Sequence, residues 1–214
     1  MSPPDLSTYL VTDPVLCGER GAPAVVAAAV RGGATCVQVR DKTADGGALL
    51  ALVRAVVQAA GEVPVLVNDR VDVALAARAE GTPVAGVHVG QADLPAPLVR
   101  SLLWPGAVLG LSVSRLDEAV AVAGWPAGVV DHLGVGPVRS TPTKPGHEPP
   151  VGLDGAALLA AASPVPCVAI GGLDAALAGP LRRAGLAGAA YVSAICASDD
   201  PERAARDLAS AWRD

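Results

Sequence analysis

The stretch VPVLVNDRVDVALAARAEGTPVAGVHVG, residues 63–90, contains two short apolar runs separated by a segment of different periodicity. VPVLVND (63–69) and GVHVG (86–90) are rich in valine, as strands buried on both faces are. Between them, residues 70–80 place apolar side chains at helical spacing. Near-continuous apolar strands alternating with helices predict a parallel sheet covered by helices.

The same pattern extends in both directions. TYLVTD (8–13), CVQVRD (36–41), VLGLSV (108–113), DHLGVGPV (131–138), PCVAIGG (166–172) and AAYVSAI (189–195) read as strands. Helical spacing follows most clearly at 47–60, 115–123, 174–184 and 200–212. Eight strand–helix units within 214 residues predict a compact (β/α)8 TIM barrel. A doubly wound sheet fits less well, because no G-x-G-x-x-G follows the first strand. No linker, repeat or low-complexity tract divides the chain, so residues 1–214 are expected to form a single domain.

Composition narrows the function. The chain is 51% hydrophobic and 17% charged, with a net charge of −5, which excludes a disordered polymer. An acidic balance without a Lys/Arg cluster argues against nucleic acid as a partner. No apolar run reaches the roughly 18 residues of a membrane helix, and MSPPDLSTYL lacks the blocks of a signal peptide. A cytoplasmic protein is therefore expected. Cys17, Cys36, Cys167 and Cys196 are spread singly, giving no metal or disulfide framework, and Cys36 and Cys167 lie within strand runs as inert thiols. Arginine outnumbers lysine fourteen to two, and Asn68 is the one asparagine. Lys42, Lys144 and Asn68 thus persist against a strong bias and rank as suspects for chemistry that arginine or alanine cannot supply.

Barrel active sites form at the C-terminal ends of the strands. Those ends carry Asp13; Gln38, Arg40 and Lys42; Asn68 and Asp69; His88, Gln91 and Asp93; Ser112; Thr141, Thr143 and Lys144; Gly171 and Gly172; and Ser193. Packing does not account for such a concentration at one rim. Gln38, Arg40 and Lys42 share one face if the strand persists, and two cations with an amide suit a diphosphate. The competing reading is a solvated strand end. Asp69 and Asp93 could hold Mg2+ together with substrate phosphates. Asp69 reads equally as the N-cap of the next helix, and Asp93 as a loop or cap residue. Asp72 reads as a surface residue matching the helix dipole.

The segment GVGPVRSTPTKPGHEPP (134–150) reads as a long functional loop in which Thr141, Thr143 and Lys144 offer two hydroxyls and an ammonium. His147 reads as solvated. Gly171-Gly172 before a helix start, with Ser193 after the next strand, has the form of a phosphate cup in the seventh and eighth loops. His88 and His132 lie on strands and read as structural. No Ser/His/Asp order or reactive cysteine supports nucleophilic catalysis.

Taken together, YLVTD (9–13), VQVRDK (37–42), VNDRVDVA (67–74), VHVGQAD (87–93) and LGLSV (109–113) resemble the thiamine-phosphate synthase family. So do LGVGPVRSTPTK (133–144), VAIGGL (168–173) and VSAI (192–195), with the likeness spanning about residues 8–208 in family order. The resemblance implies a transferase that condenses 4-amino-2-methyl-5-hydroxymethylpyrimidine diphosphate with thiazole phosphate, releasing pyrophosphate by a dissociative, Mg2+-assisted substitution. It implies that Gln38, Val39, Arg40, Asp41, Lys42, Asn68, Ser112 and Lys144 hold the pyrimidine diphosphate, with Arg40, Lys42, Ser112 and Lys144 as the catalytic set. It implies Thr141, Pro142, Thr143, Gly172, Val192 and Ser193 around the thiazole phosphate, and Asp69 and Asp93 on Mg2+. Small-molecule substrates are the expected partners, and a homo-oligomer is compatible. The stretch 77–90 is longer than the family's usual approach and is expected to enlarge the turn before the fourth strand, which bears on Asp93. A related thiazole tautomerase and a non-catalytic phosphate-ligand sensor are the rival readings.

Overall fold

The computed structural model describes residues 4–140 and 149–214. Eight strands, β1 (Thr8–Val11), β2 (Cys36–Val39), β3 (Val65–Asn68), β4 (Gly86–Val89), β5 (Val108–Val113), β6 (His132–Val135), β7 (Cys167–Ile170) and β8 (Gly188–Tyr191), close into a barrel. Every neighbouring pair is parallel, including β8 with β1. The (β/α)8 expectation holds. β5 matches its run at 108–113, and each of the other strands is shorter than its run suggests, because the end of the run leaves the sheet at the rim.

The period of two sorts the strand residues into two cores. Outward-facing Leu10, Val37, Val39, Val67, Val87, Leu109, Leu133 and Ala189 are buried under the surrounding helices. Inward-facing Tyr9, Val11, Cys36, Leu66, Val108, Val168 and Ala190 form a second, smaller cluster with Leu6 inside the barrel. Three of the longer helices start where an aspartate satisfies free N–H groups. Asp45 accepts from Ala48 N ahead of Gly46–Ala60, and Asp174 accepts from Leu177 N ahead of Ala175–Arg183. Asp200 likewise caps Pro201–Arg213, whose Trp212 and Leu208 pack back onto the core.

The inner cluster does not fill the upper half of the barrel. There β4, β5 and β6 bring His88, Gly110 and His132 into direct register. A Cβ on Gly110 would lie 2.2 Å from His88 Nδ1 and 2.4 Å from His132 Nε2. Glycine at that position makes room for two imidazoles where other barrels pack aliphatic side chains. All four cysteines are buried, Cys36 and Cys167 within strands as expected. Among the described residues no helix is long and apolar enough to cross a membrane.

Candidate active site

A cavity of about 420 Å3 opens at the C-terminal ends of the strands. Gln38, Arg40, Lys42, Asn68, Asp69, Asp93, Ser112, Gly172, Val192 and Ser193 all line it. Strand β2 ends at Val39, so Arg40 and Lys42 reach the cavity from the following loop rather than from a continued strand. Two other residues implied by the resemblance lie elsewhere. Val39 is fully buried on the outer face of the sheet, and Asp41 closes its own loop by accepting from Thr43 N, Thr43 Oγ1 and Ala44 N. Thr141, Pro142, Thr143, Lys144 and His147 lie outside the described residues.

The first wall is made of side chains. Gln38 Nε2 donates to Tyr9 Oη at 2.9 Å, which fixes the amide inside the barrel. Arg40 N donates to Thr12 Oγ1 at 2.9 Å, and its guanidinium stands 3.6 Å from Asp13. Asp13 itself accepts from Val15 N and Leu16 N, so its orientation is set by the helix turn that follows β1. Lys42 Nζ sits 2.8 Å from Asp69 Oδ2.

Asp69 does not cap a helix. Arg70 occupies the cap of Val71–Ala79 with no side-chain bond, and pairs with Asp72 at 2.7 Å. Asp69 instead adopts φ +58°, the left-handed region that a non-glycine residue enters at a cost. That backbone turn brings its carboxylate over the cavity, within hydrogen-bonding reach of Asp93. Burial pushes the Asp69 carboxyl up, but hydrogen bonds from Lys42 and Asp93 outweigh it and hold the group below the usual carboxylate range. Asp93 moves the opposite way: burial raises it, Gly90 N donating at 2.7 Å lowers it, and the neighbouring Asp69 raises it again. A turn at residues 80–81 and an irregular segment at 82–85 lead into β4, and Asp93 faces Asp69.

Two carboxylates forced together, one charged and one driven toward its protonated form, are the donor set a hard dication would relieve. Their oxygen chemistry fits Mg2+, which commonly takes one or two carboxylates and leaves its other positions to phosphates and water. The described residues hold no cluster of three or more metal-ligating side chains, so such an ion would depend on the substrate to complete its shell.

The second wall is made of backbone. Gly171 and Gly172 have φ +100° and +63°, and a Cβ on Gly172 would lie 2.8 Å from Arg139 Cβ. Their left-handed turn leads directly to the Asp174 cap, which also pairs with Arg139 at 2.8 Å. Beside it, Ser193 opens the one-turn helix Ser193–Cys196, with Val192 before it. Exposed Gly172 and Ser193 thus bring backbone N–H groups and one hydroxyl to the same rim.

At the floor of the cavity lies a chain of buried polar groups that includes His88 and His132. His88 Nε2 is 2.9 Å from Ser112 Oγ, and His88 Nδ1 is 3.3 Å from His132 Nε2. Tyr9 stacks edge-on against His132 at 6.1 Å. Burial and the neighbouring His88 push His132 down to about 3, so its ring is neutral. The signal in the sequence is the pair of glycines Gly110, on the strand between the two histidine strands, and Gly134, on the His132 strand itself.

Comparison with known proteins identifies relatives of the whole barrel. The family model described as thiamine monophosphate synthase matches residues 8–195. The thiamine-phosphate synthase of Psychrobacter sp. (strain PRwf-1) is 43% identical, over 95% of this chain and 93% of its own. That of Xanthobacter autotrophicus is 46% identical, over 98% and 96% respectively. Among solved structures, thiamine phosphate pyrophosphorylase from Pyrococcus furiosus superposes with a TM-score of 0.84 at 30% identity, covering 99% of this chain and 97% of that one. Sequence and fold converge, and the chain belongs to the thiamine monophosphate synthase family.

Proposed function

We propose that this chain joins a hydroxymethylpyrimidine diphosphate to a thiazole phosphate, forming thiamine monophosphate and pyrophosphate. The observation that carries the reading is the division of one cavity into two anion-binding walls. Cations and an amide from Gln38, Arg40, Lys42 and Asn68 line one side, and a glycine–serine backbone cup at Gly172 and Ser193 lines the other. One side suits a diphosphate and the other a monophosphate.

The residues then act by position and charge. Arg40 and Lys42 stabilise the diphosphate as the carbon–oxygen bond breaks and negative charge collects on the leaving group. Asp69 and Asp93 would hold Mg2+, whose charge, when bound, offsets that of the diphosphate. Gln38 and Ser112 orient the aminopyrimidine, whose electron-rich ring stabilises the cation left at its methylene carbon. Gly172 and Ser193 hold the thiazole phosphate so that the ring nitrogen lies in line with that carbon. No side-chain nucleophile is needed. The resemblance adds Thr141, Thr143 and Lys144 to the groups that hold the two phosphates, and a cytoplasmic location rests on the sequence expectation alone.

The test is direct. The protein is incubated with both substrates and Mg2+, and thiamine monophosphate and pyrophosphate are measured. Equimolar formation of both supports the reading, and binding of either substrate without pyrophosphate release overturns it.

A further inference from the structure

The buried chain Ser112–His88–His132 has a direction, and that direction follows from a single orphaned atom. His132 is 1% exposed, and its Nδ1 has no hydrogen-bond partner among the described residues. A neutral imidazole carries its proton on one nitrogen. Were the proton on Nδ1, a buried N–H would lack an acceptor; orphaned buried donors are rarer than under-satisfied acceptors. The proton therefore belongs on His132 Nε2, which faces His88 Nδ1 at 3.3 Å. His132 Nε2–H donates to His88 Nδ1, so His88 carries its own proton on Nε2. That N–H donates to Ser112 Oγ at 2.9 Å. With its lone pair engaged from below, Ser112 turns its hydroxyl proton toward the cavity that it lines.

We propose that His132 is a positioning residue which, through His88, fixes Ser112 as a hydrogen-bond donor toward an acceptor atom on the pyrimidine diphosphate. The kinetic side of this inference rests on the reaction proposed above; the orientation of the chain does not. Reversing the relay would make Ser112 donate to His88 and present only lone pairs to the cavity, where the acceptor-rich substrate would meet them unfavourably. Glycine at 110 and at 134 is what admits the two rings: a Cβ at Gly134 would lie 2.9 Å from His88 Cε1.

Three variants and one spectrum test it. In His132→Phe the ring shape is kept and the donor is lost. His132→Gln restores an N–H donor close to the Nε2 position. His132→Phe is expected to raise KM for the pyrimidine diphosphate about tenfold, with kcat and the KM for thiazole phosphate within about twofold of wild type. His132→Gln should recover most of that loss, and adding Ser112→Ala to His132→Phe should cost little more than Ser112→Ala alone. A structural defect would instead lower kcat through loss of active protein and leave both KM values unchanged, which would overturn the proposal. Nitrogen-15 NMR of the histidine side chains in the full-length wild-type protein reads the tautomers without any turnover. Both rings should carry the proton on Nε2, and a protonated Nδ1 on His132 would overturn the proposal. Should the wild-type protein fail to turn over the two substrates, the reaction falls, yet the NMR spectrum still decides the direction of the chain.

Discussion

On one side of the cavity β2 through β5 deliver long polar side chains, among them Gln38, Arg40, Lys42, Asp69 and Asp93. On the other side β7 and β8 deliver two glycines, a valine and a serine, and their main chain makes the site. The first wall gains charge and reach, and needs further contacts to hold it still: Tyr9 for Gln38, Thr12 and Asp13 for Arg40, Asp69 for Lys42. The second wall is rigid once the turn forms, because its donors are part of the backbone. A diphosphate leaving group whose charge grows during reaction suits the first design. A phosphate that serves only as a handle suits the second.

If that division is right, the walls should fail in different kinetic ways. The largest effect is expected at Arg40. Arg40→Ala removes a charge that matters most as the bond breaks, so kcat should fall about a hundredfold, or roughly 3 kcal/mol. An equal rise in KM with kcat unchanged would show that the first wall merely binds. Next come Asp69→Asn and Asp93→Asn, each expected to shift the Mg2+ dependence of activity to about tenfold higher concentration while leaving thermal stability near that of wild type. A Mg2+ titration that overlays wild type would remove the altered residue from the metal site.

The second wall should respond in affinity alone. Gly172→Ala forces a side chain into the φ +63° turn against Arg139 and should weaken thiazole phosphate about tenfold, with Ser193→Ala about fivefold. Calorimetry with the pyrimidine diphosphate should show little change for either. Equal weakening of both substrates would dissolve the distinction between the walls.

The last prediction concerns stability, not turnover, at the floor that both walls share. His132 is held near 3 in the folded chain by burial and by His88, whereas an unfolded histidine titrates near about 6.5. Below about pH 6.5 the unfolded chain binds a proton that the native one refuses, so stability falls as pH drops from there toward 3. The slope from this one group is at most about 1.4 kcal/mol per pH unit. His132→Phe should flatten the urea-unfolding profile over that window relative to wild type, with the acidic residues common to both chains cancelling. Parallel profiles would mean that His132 is charged or solvated in the native state.

Much of this was legible in the chain itself. The alternation of valine-rich runs with helical segments specified eight units, because burial on both faces of a strand and on one face of a helix leaves different periods in the sequence. The rim residues were legible because a polar side chain at the end of an apolar strand has few reasons to be there except chemistry. Local pattern also placed the start of a helix at 174, where the structure has Asp174 as the cap of Ala175–Arg183. It misjudged the reach of β2, since the sheet ends where the barrel opens and not where the alternation stops.

What the sequence could not determine is which residues meet across the barrel. The caps and periods of the elements are local, dictated by hydrogen bonds and burial within a few residues, and so they are written in consecutive letters. The contact of Asp69 with Asp93, the burial of Val39 away from the cavity, and the line from His132 through His88 to Ser112 depend on strand register and closure. Register is set by the packing of the whole barrel, and only that packing strips water from His132 and leaves one of its nitrogens without a partner.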